Sequence, residues 1–266
     1  MKQFVVDAFT EHLFGGNQAA VCVMNDWPDD ALMQNIAAEN NFSETAFAVK
    51  EGTSYRLRWF TPGGEIDFCG HATLGTSFVI LNYQEKFSSS VTFTSMVGEL
   101  TVKRNGDIYE MDFPAYNLKK IPVTDEMTEA LGVTPLEAYI DRDLLLVLPD
   151  AKSVRNLTPD LHRLNQLDGL LTAVTAPSDC SEYDCVSRVF APKLNIPEDP
   201  VTGSTHCMIT PYWCSRFGRK ELTCFQASKR SGVLYTGIRG NRVKIAGKAV
   251  LYSEGNLFVN NRLFDK

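Results

Sequence analysis

The chain repeats itself at about half its length, and no other feature of its 266 residues constrains the fold as much. Arg58-Trp59-Phe60-Thr61-Pro62 returns 130 residues later as Arg188-Val189-Phe190-Ala191-Pro192. Cys69-Gly70-His71-Ala72 returns as Thr202-Gly203-Ser204-Thr205 at a spacing of 133. Gly98-Glu99-Leu100 matches Gly232-Val233-Leu234, and Gly106 matches Gly240, both at 134. Several anchors in the same order at a nearly constant spacing point to duplication, and two repeats of domain size form a pseudo-twofold pair rather than a solenoid. The expected organisation is an N-terminal half, 1–115, with the chain's C-terminus as a candidate to complete it, a C-terminal half, 116–266, and an active-site cleft between them.

Local patterns agree in the two copies. VTFTSMVGELTVKRNGDIYEMDF alternates with period two around Arg104-Asn105-Gly106-Asp107, and Asn-Gly between alternating apolar residues is a strong hairpin signal. LYTGIRGNRVKIAGKAVLY does the same around Gly240-Asn241. Helices are fewer. One is expected from Pro28 to Asn40 with Asp26 as its cap and Leu32 and Ile36 on one face, and one around Thr124 to Leu131. Two more come after Gly70 and Gly203 and are apolar or small nearly all round, which marks them as buried central helices. Pro211 inside the last of these predicts a break or kink. Each half therefore reads as a curled, mostly antiparallel sheet around one apolar helix.

Composition removes several function classes. A net charge of −6 leaves no basic face for a phosphate backbone, so nucleic acid is not an expected partner. The N-terminus enters an alternating strand without a signal-peptide pattern, and no run approaches the ~20 apolar residues of a membrane helix, so a cytoplasmic protein is expected. Seven cysteines, without CxxC spacing and mostly in apolar segments, read as reduced, buried thiols. His206-Cys207 has no further ligand at metal spacing, so no zinc site is expected. Gly15-Gly16-Asn17 lacks the continuation of a nucleotide-binding loop and reads as a turn.

Chemistry is expected at the starts of the two central helices. A buried helix start leaves N–H groups in need of partners and favours a negative charge, which suits a substrate carboxylate. Around the two starts stand His71, Glu198-Asp199-Pro200-Val201-Thr202-Gly203-Ser204 and Asn41-Phe42-Ser43-Glu44-Thr45-Ala46-Phe47. A carboxylate among apolar neighbours has its charged form desolvated, which raises its pKa towards a range useful for moving protons, so Glu44 leads the candidates. Each residue also has a plainer role: Asp199 as a helix cap, His71 as a core histidine, Cys69 as a small buried residue.

These motifs together resemble the PhzF-like proteins named for phenazine biosynthesis, whose fold is that of diaminopimelate epimerase. The resemblance runs through Val6-Asp7-Ala8-Phe9-Thr10 with Gly16-Asn17-Gln18-Ala19-Ala20-Val21, Phe42 to Phe47, Arg58 to Pro62 leading to Gly70-His71-Ala72-Thr73-Leu74-Gly75, Arg188 to Pro192, and Glu198 to Ser204 with His206-Cys207 and Pro211-Tyr212-Trp213. It implies an α+β fold of two pseudo-symmetric halves, each a barrel-like, mostly antiparallel sheet around a central apolar helix. It also implies a homodimer without cofactor or metal, acting as an isomerase on a small-molecule carboxylate substrate. On this resemblance Glu44, His71 and Asp199 are the catalytic residues, and Gly70, Gly203 and Ser204 bind substrate. Glu44 would move a proton between carbons of a cyclic amino-acid-like molecule. An amino-acid racemase or epimerase and a non-catalytic small-acid binding protein are the alternatives. Of these, the two-thiol racemase is disfavoured because the repeat partner of Cys69 is Thr202. Gln18 stands where many relatives carry proline.

Overall fold

A computed structural model describes residues 1–259; residues 260–266 of the expected C-terminal half lie outside the described residues. The described residues form two compact units, Met1–Asp112 together with residues 247–259, and Phe113–Ala246. The segment from Gly247 onward joins the first unit because the strand Ala249–Asn256 pairs antiparallel with Lys2–Ala8, with a bulge between Val5 and Val6.

The duplication is visible in strand pairing. In the first unit Lys2–Ala8 pairs antiparallel with Asn17–Met24, which pairs parallel with Glu44–Glu51, which pairs antiparallel with Ser54–Thr61. Ser54–Thr61 then takes the short antiparallel strand Gly64–Ile66 and, in parallel, Ser90–Ser95, from which two antiparallel pairings reach Ile108–Pro114. The second unit repeats the same series. Glu137–Ile140 pairs antiparallel with Leu144–Val147, which pairs parallel with Thr172–Pro177, which pairs antiparallel with Cys185–Ala191. Cys185–Ala191 takes the short antiparallel strand Ile196–Asp199 and, in parallel, Glu221–Gln226, from which two antiparallel pairings reach Arg242–Gly247. Each unit is thus a mostly antiparallel sheet with one central apolar helix, the α+β architecture of the diaminopimelate epimerase type.

The repeated motifs explain themselves in this frame. Arg58 forks onto Glu65 with two 2.7 Å bonds and reaches Asp30 with a third. Arg188 forks onto Glu198 at 2.7 and 3.0 Å. Each arginine pins the short return strand that delivers the chain to the central helix, and the bidentate geometry fixes direction as well as distance. Gly106 and Gly240 both take φ 63 at tight turns closed by Asn105 opposite Ile108 and Arg239 opposite Arg242, a conformation glycine adopts at no steric cost.

The helix Gly70–Val79 is buried along nearly its whole length although it carries hydroxyls. They are satisfied within the helix: Thr73, Thr76 and Ser77 donate to the carbonyls of Cys69, Ala72 and Thr73 at 2.6 to 2.8 Å. Burial therefore leaves no hydroxyl unpaired on that face. Among the described residues no helix is long and apolar enough to cross a membrane.

Three sequence expectations need correction. The first helix is Asp30–Asn40 and its cap is Asp29, whose carboxylate accepts the Leu32 N–H at 2.6 Å, not Asp26. The cap belongs to the residue directly before the first helical turn, and Asp26 stands in a bend too far upstream. The second central helix runs from His206 to Phe217 rather than from Ser204, directly after Gly203; residues 203–205 form tight turns in which His206 and Cys207 donate to the carbonyls of Gly203 and Ser204 at 3.0 Å. Finally, Pro211 does not break that helix. The carbonyl it leaves without a helical partner, that of Cys207, accepts the Tyr116 N–H at 3.1 Å.

Candidate active site

In the first unit, parallel pairing places Glu44 opposite Ala19, next to Gln18, and the central helix starts beside them. His71, in the first turn, lies with Nε2 3.1 Å from Glu44 Oε2 and 3.2 Å from the Gln18 carbonyl. A carbonyl only accepts, so Nε2 carries a proton in either charge state of the ring and donates it to Gln18. Glu44 Oε2 receives no well-directed hydrogen bond among the described residues and is closed off from solvent. The other ring nitrogen, Nδ1, lies 3.4 Å from Cys69 Sγ. Glu44 and His71 are only 9% and 6% exposed. A nearly dry carboxylate with an undirected oxygen is costly to bury.

The electrostatics follow from this packing. Burial opposes a charge on His71, but the Cys69 sulfur and the Glu44 carboxylate more than offset it, so its pKa stands well above the ordinary 6.5. Burial, and after it the charge of Glu44, pushes the Cys69 thiol up to about 11, so it is neutral at physiological pH. The structure thus brings together Glu44, His71 and Gly70 of the expected site residues, and it adds Cys69 and the carbonyl of Gln18 to them. Gln18 was legible only as a departure from a family pattern. Its contribution comes from the main chain, which a proline would supply equally. Among the described residues the N–H groups of Gly70 and His71 donate to nothing, as a buried helix start requires of an anion seat.

In the second unit Asp199 ends the return strand Ile196–Asp199 and is half-buried. Thr202 donates its hydroxyl to Asp199 Oδ2 at 2.5 Å, and its own N–H goes to Gln226 Oε1 at 2.9 Å. Gln226 Nε2 in turn donates to the Asp199 carbonyl at 2.8 Å. Thr202 and Gln226 therefore fix the aspartate, a role the sequence reading did not assign to either. Gln226 is fully buried at the end of the strand Glu221–Gln226, and no sequence signal marks it. The N–H groups of Gly203 and Ser204 donate to nothing among the described residues. His206 is fully buried and holds the Thr202 carbonyl through Nδ1 at 2.8 Å, which makes it a brace for this turn.

Strand register aligns the two copies residue by residue. Arg58 faces Phe47 and Arg188 faces Val174, so Glu44 corresponds to Leu171. Trp59 faces Ile66 and Val189 faces Asp199, so Asp199 corresponds to Ile66. Each unit carries one carboxylate where its copy has an aliphatic side chain.

A family model described as phenazine biosynthesis-like protein matches residues 6–255. A Pseudomonas aeruginosa protein named as an uncharacterised isomerase is 46% identical over 254 residues, covering 96% of this chain and 97% of the relative. Among solved structures, a phenazine biosynthesis protein of the PhzF family from Enterococcus faecalis matches with a TM-score of 0.95 and 48% identity, covering 97% of this chain and 99% of the other. A PhzC/PhzF protein from Clostridium difficile matches with a TM-score of 0.92 and 42% identity over 97% and 100% of the two chains.

Proposed function

Because the chain belongs to the phenazine biosynthesis-like family and is an isomerase, we propose that it moves a proton between carbons of a small carboxylate-bearing, amino-acid-like substrate, without a cofactor, through Glu44. The observation that carries this reading is the buried Glu44 carboxylate, whose Oε2 lies 3.1 Å from His71 Nε2 and receives no well-directed hydrogen bond among the described residues.

As carboxylate, Glu44 removes a proton from a carbon made acidic by an adjacent unsaturated or carboxylated group. The proton is then returned to another carbon of the same substrate, and Glu44 is regenerated. His71, fixed through Gln18, orients the carboxylate and stabilises its charged form. Asp199, held by Thr202 and Gln226, binds a polar or cationic substituent of the same substrate. The N–H groups of Gly70, Gly203 and Ser204 receive its carboxylate or the negative charge that develops as the proton leaves, a contribution on the order of 10² to 10³ where such donors are preorganised. One carboxylate per repeat, each without a counterpart in the copy, supports a division of labour between base and binding group. It argues against two matched bases that invert a centre. On the same reading the enzyme works as a cytoplasmic homodimer, and light scattering on the purified chain checks the assembly.

The test is proton exchange. The protein is incubated in D₂O with a panel of cyclic and aliphatic amino acids and related small carboxylates, and products are followed by mass spectrometry and NMR. The expected result is deuterium incorporation with migration of a double bond or a hydrogen, and its loss by a factor of about 10² to 10⁴ in Glu44→Gln. Binding without exchange would leave a small-acid binding protein. Exchange confined to an α-carbon, with inversion, would leave a racemase.

A further inference from the structure

The Glu44, Cys69 and His71 side chains each offer one ligand atom within 4.8 Å of the others, and all three are buried. Their chemistry is that of a metal centre: a thiol, an imidazole and a carboxylate. We propose that they form a binding site for a zinc-like, thiophilic divalent cation, with Cys69 Sγ, His71 Nδ1 and a Glu44 carboxylate oxygen as ligands, and that the bound cation silences the enzyme. The part of this proposal that concerns silencing rests on the isomerase mechanism given above; the binding site does not.

Three features carry it. The first is the bite of the Cys-x-His pair. A tetrahedral zinc ion with bonds of about 2.3 Å to sulfur and about 2.0 to 2.1 Å to nitrogen holds those two atoms about 3.5 Å apart. Cys69 Sγ and His71 Nδ1 are 3.4 Å apart. The second is the other side of the ring. Ligating histidines commonly donate their second N–H to a carboxylate or a main-chain carbonyl, which fixes the ring and leaves the ligating nitrogen facing the metal. His71 Nε2 donates to the Gln18 carbonyl in this way, at 3.2 Å. The third is Glu44 Oε2, an acceptor that receives no well-directed hydrogen bond among the described residues, in a residue more than nine-tenths buried and 3.1 Å from the same imidazole ring, at Nε2, so that the carboxylate has only to turn within the cluster to reach the cation. Three protein ligands leave a fourth position for water or a substrate oxygen. Sequence spacing could not show this site, because Glu44 belongs to a different strand and reaches the Cys-x-His pair only through the parallel pairing of Asn17–Met24 with Glu44–Glu51. A cation so held engages the carboxylate that must accept the substrate proton, and so blocks turnover.

Cobalt(II) is a suitable probe, because a thiolate ligand gives it a near-ultraviolet charge-transfer band and four-coordination gives it strong visible bands. The exposed Cys180 is removed first by Cys180→Ser, which is expected to leave binding and activity unchanged. In this background one equivalent of cobalt is expected to give both bands, and zinc is expected to erase them by displacement. Cys69→Ser should abolish the near-ultraviolet band and weaken binding by at least about 10-fold, whereas Glu44→Gln should weaken binding and keep the band. Circular dichroism of the variants separates lost ligands from lost fold. The His71→Asn variant provides a second ligand test should Cys69→Ser fail to fold. Absence of stoichiometric binding, or a charge-transfer band that survives Cys69→Ser, overturns the site. Zinc at saturation that leaves turnover intact overturns the silencing. Cobalt bound through Cys69 in a protein that moves no proton on any acid tested upholds the site and removes the isomerase mechanism instead.

Discussion

Asp199 and Glu44 are both acids near a helix start, yet the protein treats them differently. Asp199 is fastened: Thr202 gives it a hydroxyl at 2.5 Å and Gln226 holds its main chain. Glu44 Oε2 lies 3.1 Å from His71 but receives no well-directed hydrogen bond among the described residues, so on the proposed function it can take up and give back a substrate proton without breaking a network. The difference has a measurable consequence. Thr202→Val preserves shape but removes the donor, and a hydrogen bond to a charged group is worth about 1.5 to 3 kcal/mol. The expected result is a loss of stability of up to about that size together with a fall in kcat/KM of about 10- to 100-fold, read by calorimetry and steady-state kinetics side by side. A loss of stability without a kinetic defect would reduce Thr202 to a turn residue. Neither hydrogen bond could be read from the sequence. Thr202 stands there as a repeat anchor and as the place where a second thiol is missing, with no partner assigned, and the link from Asp199 to Gln226 spans residues that no local pattern connects.

At the scale of elements, the sequence was most legible where one residue decides the local backbone. Asn-Gly turns, the Thr124 cap with Gly132 closing Asp125–Leu131, and the apolar central helices all follow from side chains adjacent in the chain. It could not show what a distant group contributes, as at Pro211, where the helix runs on without a break. A proline in a helix interior costs about 3 kcal/mol relative to alanine when its effects are left uncompensated. Here Tyr116 already serves the Cys207 carbonyl, so Pro211→Ala should change the unfolding free energy measured by urea titration by less than about 1 kcal/mol. A gain near the full helix-propensity value would show the compensation to be ineffective. A second distant construction is Glu137, which accepts from Lys120 at 2.7 Å, Tyr139 at 2.7 Å and Tyr212 at 3.0 Å, and pairs with Arg216. The Lys120 bond leads in holding its pKa down to about 2 from the ordinary 4.5; burial opposes, and the two tyrosines add to the lowering. A carboxyl depressed on folding stabilises the protein above its unfolded pKa, and that contribution is lost as pH falls through the folded value. Between pH 4.5 and about 2 the wild type should therefore lose stability more steeply than Glu137→Gln, in urea titrations repeated across that range. Parallel slopes would remove Glu137 from the acid response.

At the scale of the whole molecule, the duplication was readable because its anchors are local motifs repeated in order. What each copy does with its carboxylate was not, since that depends on register between strands. The register shows a duplication that has diverged by complementary loss: Glu44 against Leu171, Ile66 against Asp199, His71 against Ser204, Cys69 against Thr202. If the copies were still interchangeable, a carboxylate at Leu171 would be tolerated and could stand in for Glu44. The surroundings argue otherwise. Leu171 is 5% exposed, and its N–H already donates to Asp143 Oδ1, a fully buried carboxylate whose pKa is raised chiefly by its own burial. A second carboxylate there would be desolvated beside a like charge with no histidine to face it. Leu171→Glu should accordingly destabilise the second unit by about 3 kcal/mol or more, since an uncompensated buried charge costs that much. Hydrogen exchange gives the test with the resolution it needs: protection should fall across Thr172–Pro177 and Cys185–Ala191, and the Glu44→Gln, Leu171→Glu double variant should recover no proton exchange on substrate. Recovery in the double variant would mean that the copies still share one chemistry, and that the single carboxylate in each repeat is an accident of sequence rather than the basis of the site.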